Sequence, residues 1–141
     1  MSRALPSSAK ILTTGLVLIS LCNPIPLHAG EDPLIPLDSY RIQRLLDGRT
    51  ATCVREHDQA TCLSFFGSDG IIKRRMDADG KRREGRWSSD NDQLCVIWDD
   101  KPEKTNCWDI TDNADGSYVL RWRGKPKALM QHFRAGNTLD F

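Results

Sequence analysis

Ile71-Ile72-Lys73-Arg74-Arg75-Met76-Asp77-Ala78-Asp79-Gly80-Lys81-Arg82-Arg83-Glu84-Gly85-Arg86-Trp87-Ser88 reads as two short strands joined by a tight turn. Asp-Ala-Asp-Gly supplies residues that bond their own backbone and a glycine for the left-handed position. With Gly80 in that position Met76 pairs with Lys81, so Arg75 faces Arg82, Arg74 faces Arg83 and Lys73 faces Glu84. The alternation of a strand then puts Arg74 and Arg83 on the face of Ile72, Met76 and Trp87, at the mouth of a barrel. Lys73, Arg75, Arg82 and Arg86 fall on the other face. Like charges directly opposite one another destabilise a hairpin, so carboxylates elsewhere, solvent or an external anion must compensate them.

The same pattern repeats on either side. Strands are expected near 49–55, 60–66, 71–76, 82–88, 93–98, 105–110, 117–123 and 127–133. The connectors between them include Gly67-Ser68-Asp69-Gly70, Ser89-Asp90-Asn91-Asp92 and Asn113-Ala114-Asp115-Gly116. Eight evenly spaced strands indicate an all-β antiparallel meander. Closure into a small up-and-down, lipocalin-like barrel removes both sheet edges; a two-sheet sandwich is the alternative. Ahead of the strands, Asp38 can cap one short helix over 39–47, ended by Gly48. Ile42, Leu45 and Leu46 give that helix an apolar stripe, and Leu37 can staple onto Ile42. The helix is expected to plug one end of the barrel.

Residues 1–30 read as a signal peptide. Arg3 and Lys10 precede an apolar run at 11–22, then Pro24, Pro26 and the small pair Ala29-Gly30. The run is short of the roughly 20 residues a spanning helix needs, so no transmembrane segment is expected after cleavage. Cys22 raises the alternative of a lipoprotein. The remaining chain divides into an extended lead-in with the capping helix at 31–48 and a barrel domain at 49–141. Loss of Arg3 and Lys10 turns a formal charge of +1 into −1. The chain is long enough for one core, and its composition excludes disordered and coiled-coil classes.

Cleavage leaves Cys53, Cys62, Cys95 and Cys107, an even count that reads as two disulfides in a periplasmic or secreted domain. Parity sets Leu94, Val96 and Trp98 on one face with Trp108 and Ile110, and Cys95 and Cys107 on the other. In the first hairpin Val54, Leu63 and Phe65 are read as facing the core, which turns Cys53 and Cys62 outward. Each pair can thus meet across its own hairpin on the outside of the sheet, although four cysteines allow three connectivities.

Trp87, Trp98, Trp108 and Trp122 fall one per strand and read as aromatic core, with an aromatic-lined ligand cavity as the alternative. Charge is segregated: 90–115 is rich in acids, whereas 121–134 holds Arg121, Arg123, Lys125, Lys127 and Arg134 with no acid. His57 reads as an exposed turn residue and His132 as a strand residue, and neither has a nucleophile beside it in sequence. Asp77/Asp79 and Asp90/Asp92 lack calcium-loop spacing. No metal, cofactor or catalytic residue is assigned. Phe141 resembles the aromatic end of outer-membrane barrels, but Ile71–Met76 cannot supply a lipid-facing band.

Leu45-Leu46-Asp47-Gly48-Arg49-Thr50, Gly85-Arg86-Trp87, Leu94-Cys95, Cys107-Trp108, Gly116-Ser117-Tyr118 and Gly136-Asn137 together resemble a family of small, uncharacterised exported proteins from proteobacteria. Its pattern runs LL-x-G-x-T, G-x-W, LC, C-W/Y, G-x-Y and GN. The resemblance implies an exported single domain and carries no activity; the Cys53/Cys62 pair and the basic hairpin lie outside the pattern.

The expected function is non-catalytic binding of an anionic partner through Lys73, Arg74, Arg75, Lys81, Arg82, Arg83 and Arg86. An envelope lipid, an acidic glycan or an acidic protein fits that surface; nucleic acid does not fit an exported domain near neutrality. A lipocalin-like carrier of a small apolar ligand, or an enzyme of unknown type, are the alternatives.

Overall fold

The computed structural model describes residues 34–141. The signal-peptide reading of 1–30, with Cys22, and the first residues of the lead-in lie outside the described residues. The chain forms α1 (Ser39–Leu46) and then β1 (Arg49–Arg55), β2 (Thr61–Phe66), β3 (Ile71–Met76), β4 (Arg82–Ser88), β5 (Leu94–Trp98), β6 (Thr105–Asp112), β7 (Tyr118–Trp122) and β8 (Lys125–Ala135). Each strand pairs antiparallel with the next, and β8 returns to β1, closing the barrel. No described helix is long and apolar enough to cross a membrane.

The helix forms where the sequence provides its caps. The Asp38 carboxylate accepts from the Arg41 amide at 2.8 Å, and Gly48 follows the helix at φ +68°. Leu37, Ile42 and Leu46 are buried in the main core, so the helix seals one end of the barrel. A reciprocal pair fixes its start: Ser39 N–H donates to the Asp92 carboxylate, and Asp92 N–H donates to the Ser39 hydroxyl. Beneath the helix, Phe66, Ile72, Trp87, Leu94, Val96 and Ile110 fill the interior.

Two bulges interrupt the alternation in β8. The pairing of β1 with β8 steps from Thr52–Gln131 to Thr50–Arg134, which leaves His132 and Phe133 opposite Ala51. His132 takes the left-handed conformation at φ +53° and is exposed, in place of the regular strand position expected. The step lets Met130 and Phe133 both contribute to the core, Phe133 edge-on to Tyr118 at 5.5 Å. A second shift, at Leu120/Arg121, inserts Lys127 near the opposite end.

The disulfides pair as Cys53–Cys62 and Cys95–Cys107, one in each proposed hairpin. Cys95 and Cys107 alternate with buried Leu94, Val96 and Trp98 and lie on the outer side. Cys53 and Cys62 do the opposite of what parity suggested: with Ser64 and Phe66 they are buried, inside the barrel. Leu63 and Phe65 take the outer face, at half-buried positions. The reason is the final segment, where buried Leu139 and the Phe141 ring cover that side of the sheet.

Gly85 fits this wall because a Cβ there would collide with the Ile97 carbonyl oxygen across β4 and β5. The two disulfides therefore differ in what they support. Replacing Cys53 and Cys62 by Ala is expected to cost about 3–4 kcal/mol in denaturant unfolding, bridge plus cavity, against about 2–3 kcal/mol for Cys95 and Cys107 to Ser. Equal losses would mean the inner bridge leaves no cavity behind.

Candidate functional site

The end of the barrel opposite α1 carries no plug among the described residues. It is formed by the end of β1, the start of β2, the end of β3, the start of β4, the β5–β6 ends and the β7–β8 ends. Within it lies a recess of about 680 Å³, lined by Arg55, His57, Arg74, Lys104, Thr105, Asn106, Cys107, Trp108, Leu120, Trp122, Lys127 and Ala128. Four bases and a histidine line it, and among the described residues no carboxylate does. A second recess of similar size lies on the outside of the wall by Arg86 and Ile97; Asp69 and Asp90 balance its one base.

The basic hairpin has the register its turn chemistry dictates. Arg75–Arg82, Arg74–Arg83 and Lys73–Glu84 are paired, Gly80 has φ +66°, and Met76 N–H donates to the Lys81 carbonyl at 2.9 Å. The sheet then divides its seven bases. Lys73, Arg75 and Arg82 are outside, where the chain itself meets them: Lys73 reaches Glu84 at 3.4 Å, and Arg75 reaches Asp140 at 3.4 Å. The Lys73 ammonium and the Arg82 guanidinium stand over the Phe141 ring at 5.4 and 4.7 Å. Lys81 and Arg86 are exposed.

Arg74 and Arg83 point inward. Both guanidiniums lie on the Trp98 ring, at 4.8 and 4.5 Å from its centre. Such contacts offset part of the desolvation of a cation. Arg83 also donates to the Asp100 carboxylate at 2.6 Å, which holds the Asp100 carboxyl below its usual range. The Arg83 Nε–H is buried without an acceptor. Arg74 donates from Nε to the Ser64 hydroxyl at 2.9 Å, and among the described residues no carboxylate forms a salt bridge with it. Its pKa is pushed down to about 10, first by desolvation and then by the charges of Arg83 and Arg55.

Arg55 completes the set. Barrel closure brings its side chain to the recess, where Asp58 holds it through two hydrogen bonds, at 3.1 and 2.5 Å. Sequence reasoning missed Arg55, Ser64, Lys104 and Lys127. The first two were lost with the inverted parity of the first hairpin. Lys127 belongs to the basic 121–134 stretch, which could have flagged it.

The tryptophans divide as well. Trp87 and Trp98 are core, and the Trp87 Nε1–H donates to the Gly67 carbonyl at 2.9 Å. Trp108 is half-buried, and Trp122 is 47% exposed at the rim with Arg123 and Lys127 over its ring. The barrel is thus filled at the helix end and open at the mouth. His57 sits 3.5 Å from Asp58, and among the described residues neither His57 nor His132 hydrogen-bonds a Ser, Thr or Cys.

Comparison with protein-family models, curated proteins and solved structures finds no match.

The unpaired charge has a thermodynamic consequence. Arg74 is charged in both folded and unfolded chains below pH 10, so its desolvation penalty is fully present at neutral pH. It fades only as pH rises through about 10 towards the ordinary arginine value, where the unfolded chain binds the extra proton. Arg74→Met, which keeps the stem, is therefore expected to stabilise the protein by about 1 kcal/mol in urea unfolding at pH 7. A loss of similar size would show that the Trp98 and Ser64 contacts outweigh desolvation.

Proposed function

We propose that this protein is a non-catalytic, exported β-barrel that binds an anionic ligand in its open mouth, on Arg74 and Arg55 with Lys104 and Lys127 at the rim. The observation that carries the reading is a recess lined by four bases and no acid. A half-buried guanidinium without a carboxylate loses part of its hydration, and an anion that enters beside it relieves the penalty. Charge-assisted hydrogen bonds to such an anion are roughly twice as strong as neutral ones. Two disulfides support an oxidising compartment, and so does the leader reading.

This reading keeps Arg74 and Arg83 of the basic hairpin and moves the site inward from Lys73, Arg75 and Arg82. The outer face already has Asp140 and Phe141 as its anion and its apolar cover. The carrier alternative contributes one feature, the apolar wall of Trp108, Leu120 and Trp122. Asp58 answers Arg55, but a purely apolar ligand would leave Arg74 without an anion, so the mouth favours a ligand with a charged end.

Fluorescence titration with 1-anilinonaphthalene-8-sulfonate tests the assignment. Binding is expected to weaken with added salt, to fall about tenfold or more in Arg74→Met, and to stay within about twofold of wild type in the double variant Arg75→Gln/Arg82→Gln. The reverse ranking of the variants would return the site to the outer face of the hairpin.

A further inference from the structure

The mouth recess is shallow as well as basic, and that restricts the body of its ligand. Directly inside it the barrel is solid: Trp98, Val96, Ile110, Met130 and the Cys53–Cys62 bridge are all buried. An extended acyl chain of the kind larger barrels swallow finds no channel between these side chains. What remains is a broad recess of about 680 Å³, within the range that holds a compact organic ligand.

Its walls are aromatic on one side. One step beyond the Asp109–Arg121 pair, the β6–β7 register sets Trp108 opposite Trp122, with Leu120 beside them. Among the described residues the aromatic ring pairs are Phe66–Trp87 and Tyr118–Phe133, so neither mouth indole is stacked on another ring. Across the mouth β3 brings Arg74, and β1, two strands from β7, brings Arg55. Indoles with cations beside them (Lys127 over Trp122, Arg55 two strands away) and Arg74 across the mouth match a flat molecule with an acidic substituent, whose ring stacks while its charge is neutralised.

We infer that the ligand class is a planar aromatic acid, a fused-ring carboxylate or similar oxyacid, stacked on Trp122 and Trp108 with its anionic group on Arg74 and Arg55. The inference rests on the mouth-site reading and goes further by fixing the shape of the ligand. It excludes long-chain fatty acids and unsubstituted inorganic anions as preferred occupants.

Two probes of equal carbon count and equal charge isolate planarity: 2-naphthoate and its fully saturated analogue, decahydro-2-naphthoate. In calorimetric or fluorescence titration of the wild-type protein, 2-naphthoate is expected to bind about tenfold more tightly. The preference is expected to shrink to about twofold in Trp122→Leu and to return in Trp122→Phe; Trp122 is exposed, so neither change empties the core. Decanoate and inorganic phosphate serve as chain and bare-anion controls. Equal or tighter binding of the saturated acid, decanoate or phosphate, still lost in Arg74→Met, would overturn the aromatic class and leave the mouth site standing. Binding of every probe unaffected by Arg74→Met would overturn the mouth site itself.

Discussion

Closure of β8 onto β1 is the constraint from which the rest follows. It removes the two sheet edges that an eight-strand meander would otherwise expose. It also decides which side chains are inside, because in a closed ring every strand must agree with both neighbours. The bulge at His132 is how this chain meets that demand: β8 yields one residue, and Met130 and Phe133 both reach the core. At the other end the same closure carries Arg55 and Lys127 round to Arg74, bringing together bases from β1, β3 and β8.

The barrel then has two unlike ends. One is sealed by α1, whose cap, staple and left-handed exit are all local features, and whose apolar stripe goes straight into the core. At the other end three arginines approach each other, two of them on one indole ring. Like charges facing across β3 and β4 are handled differently on the two sides of the sheet. Outside, Asp140, Glu84 and the Phe141 ring meet them. Inside, Arg83 has Asp100, while among the described residues Arg74 meets an aromatic face and a hydroxyl. A domain that folds despite such an arrangement gives up stability at the place where a ligand can restore it, the usual relation between binding sites and the structures that hold them.

Most of the architecture was legible because its signals are local. Gly80 and the Asp-Ala-Asp turn set the β3–β4 register to the residue, and the Arg74–Arg83 pairing with it. Alternation in Leu94-Cys95-Val96-Ile97-Trp98 placed the second disulfide outside. The first hairpin failed by the same rule: Leu63 and Phe65 looked like the core face, but the chain covers them with its own final residues. That cover comes from 74 positions further along, which no local pattern encodes. Cys53 and Cys62 were turned outward as a result, and Arg55 disappeared from the site with them. Bulges at His132 and Lys127 were illegible for a related reason, since a register slip answers to ring closure and leaves no period in the sequence.

The most direct measurement is a proton–nitrogen NMR titration of the full domain with 2-naphthoate, following the arginine Nε–H signals. That of Arg74 is held by the Ser64 hydroxyl and so protected from exchange. It is expected to shift together with the amides of 104–108 and 120–128, while the amides around Lys73 and Arg82 stay still. Shifts confined to the outer face of the β3–β4 hairpin, or an Arg74 signal unmoved at saturation, would contradict it.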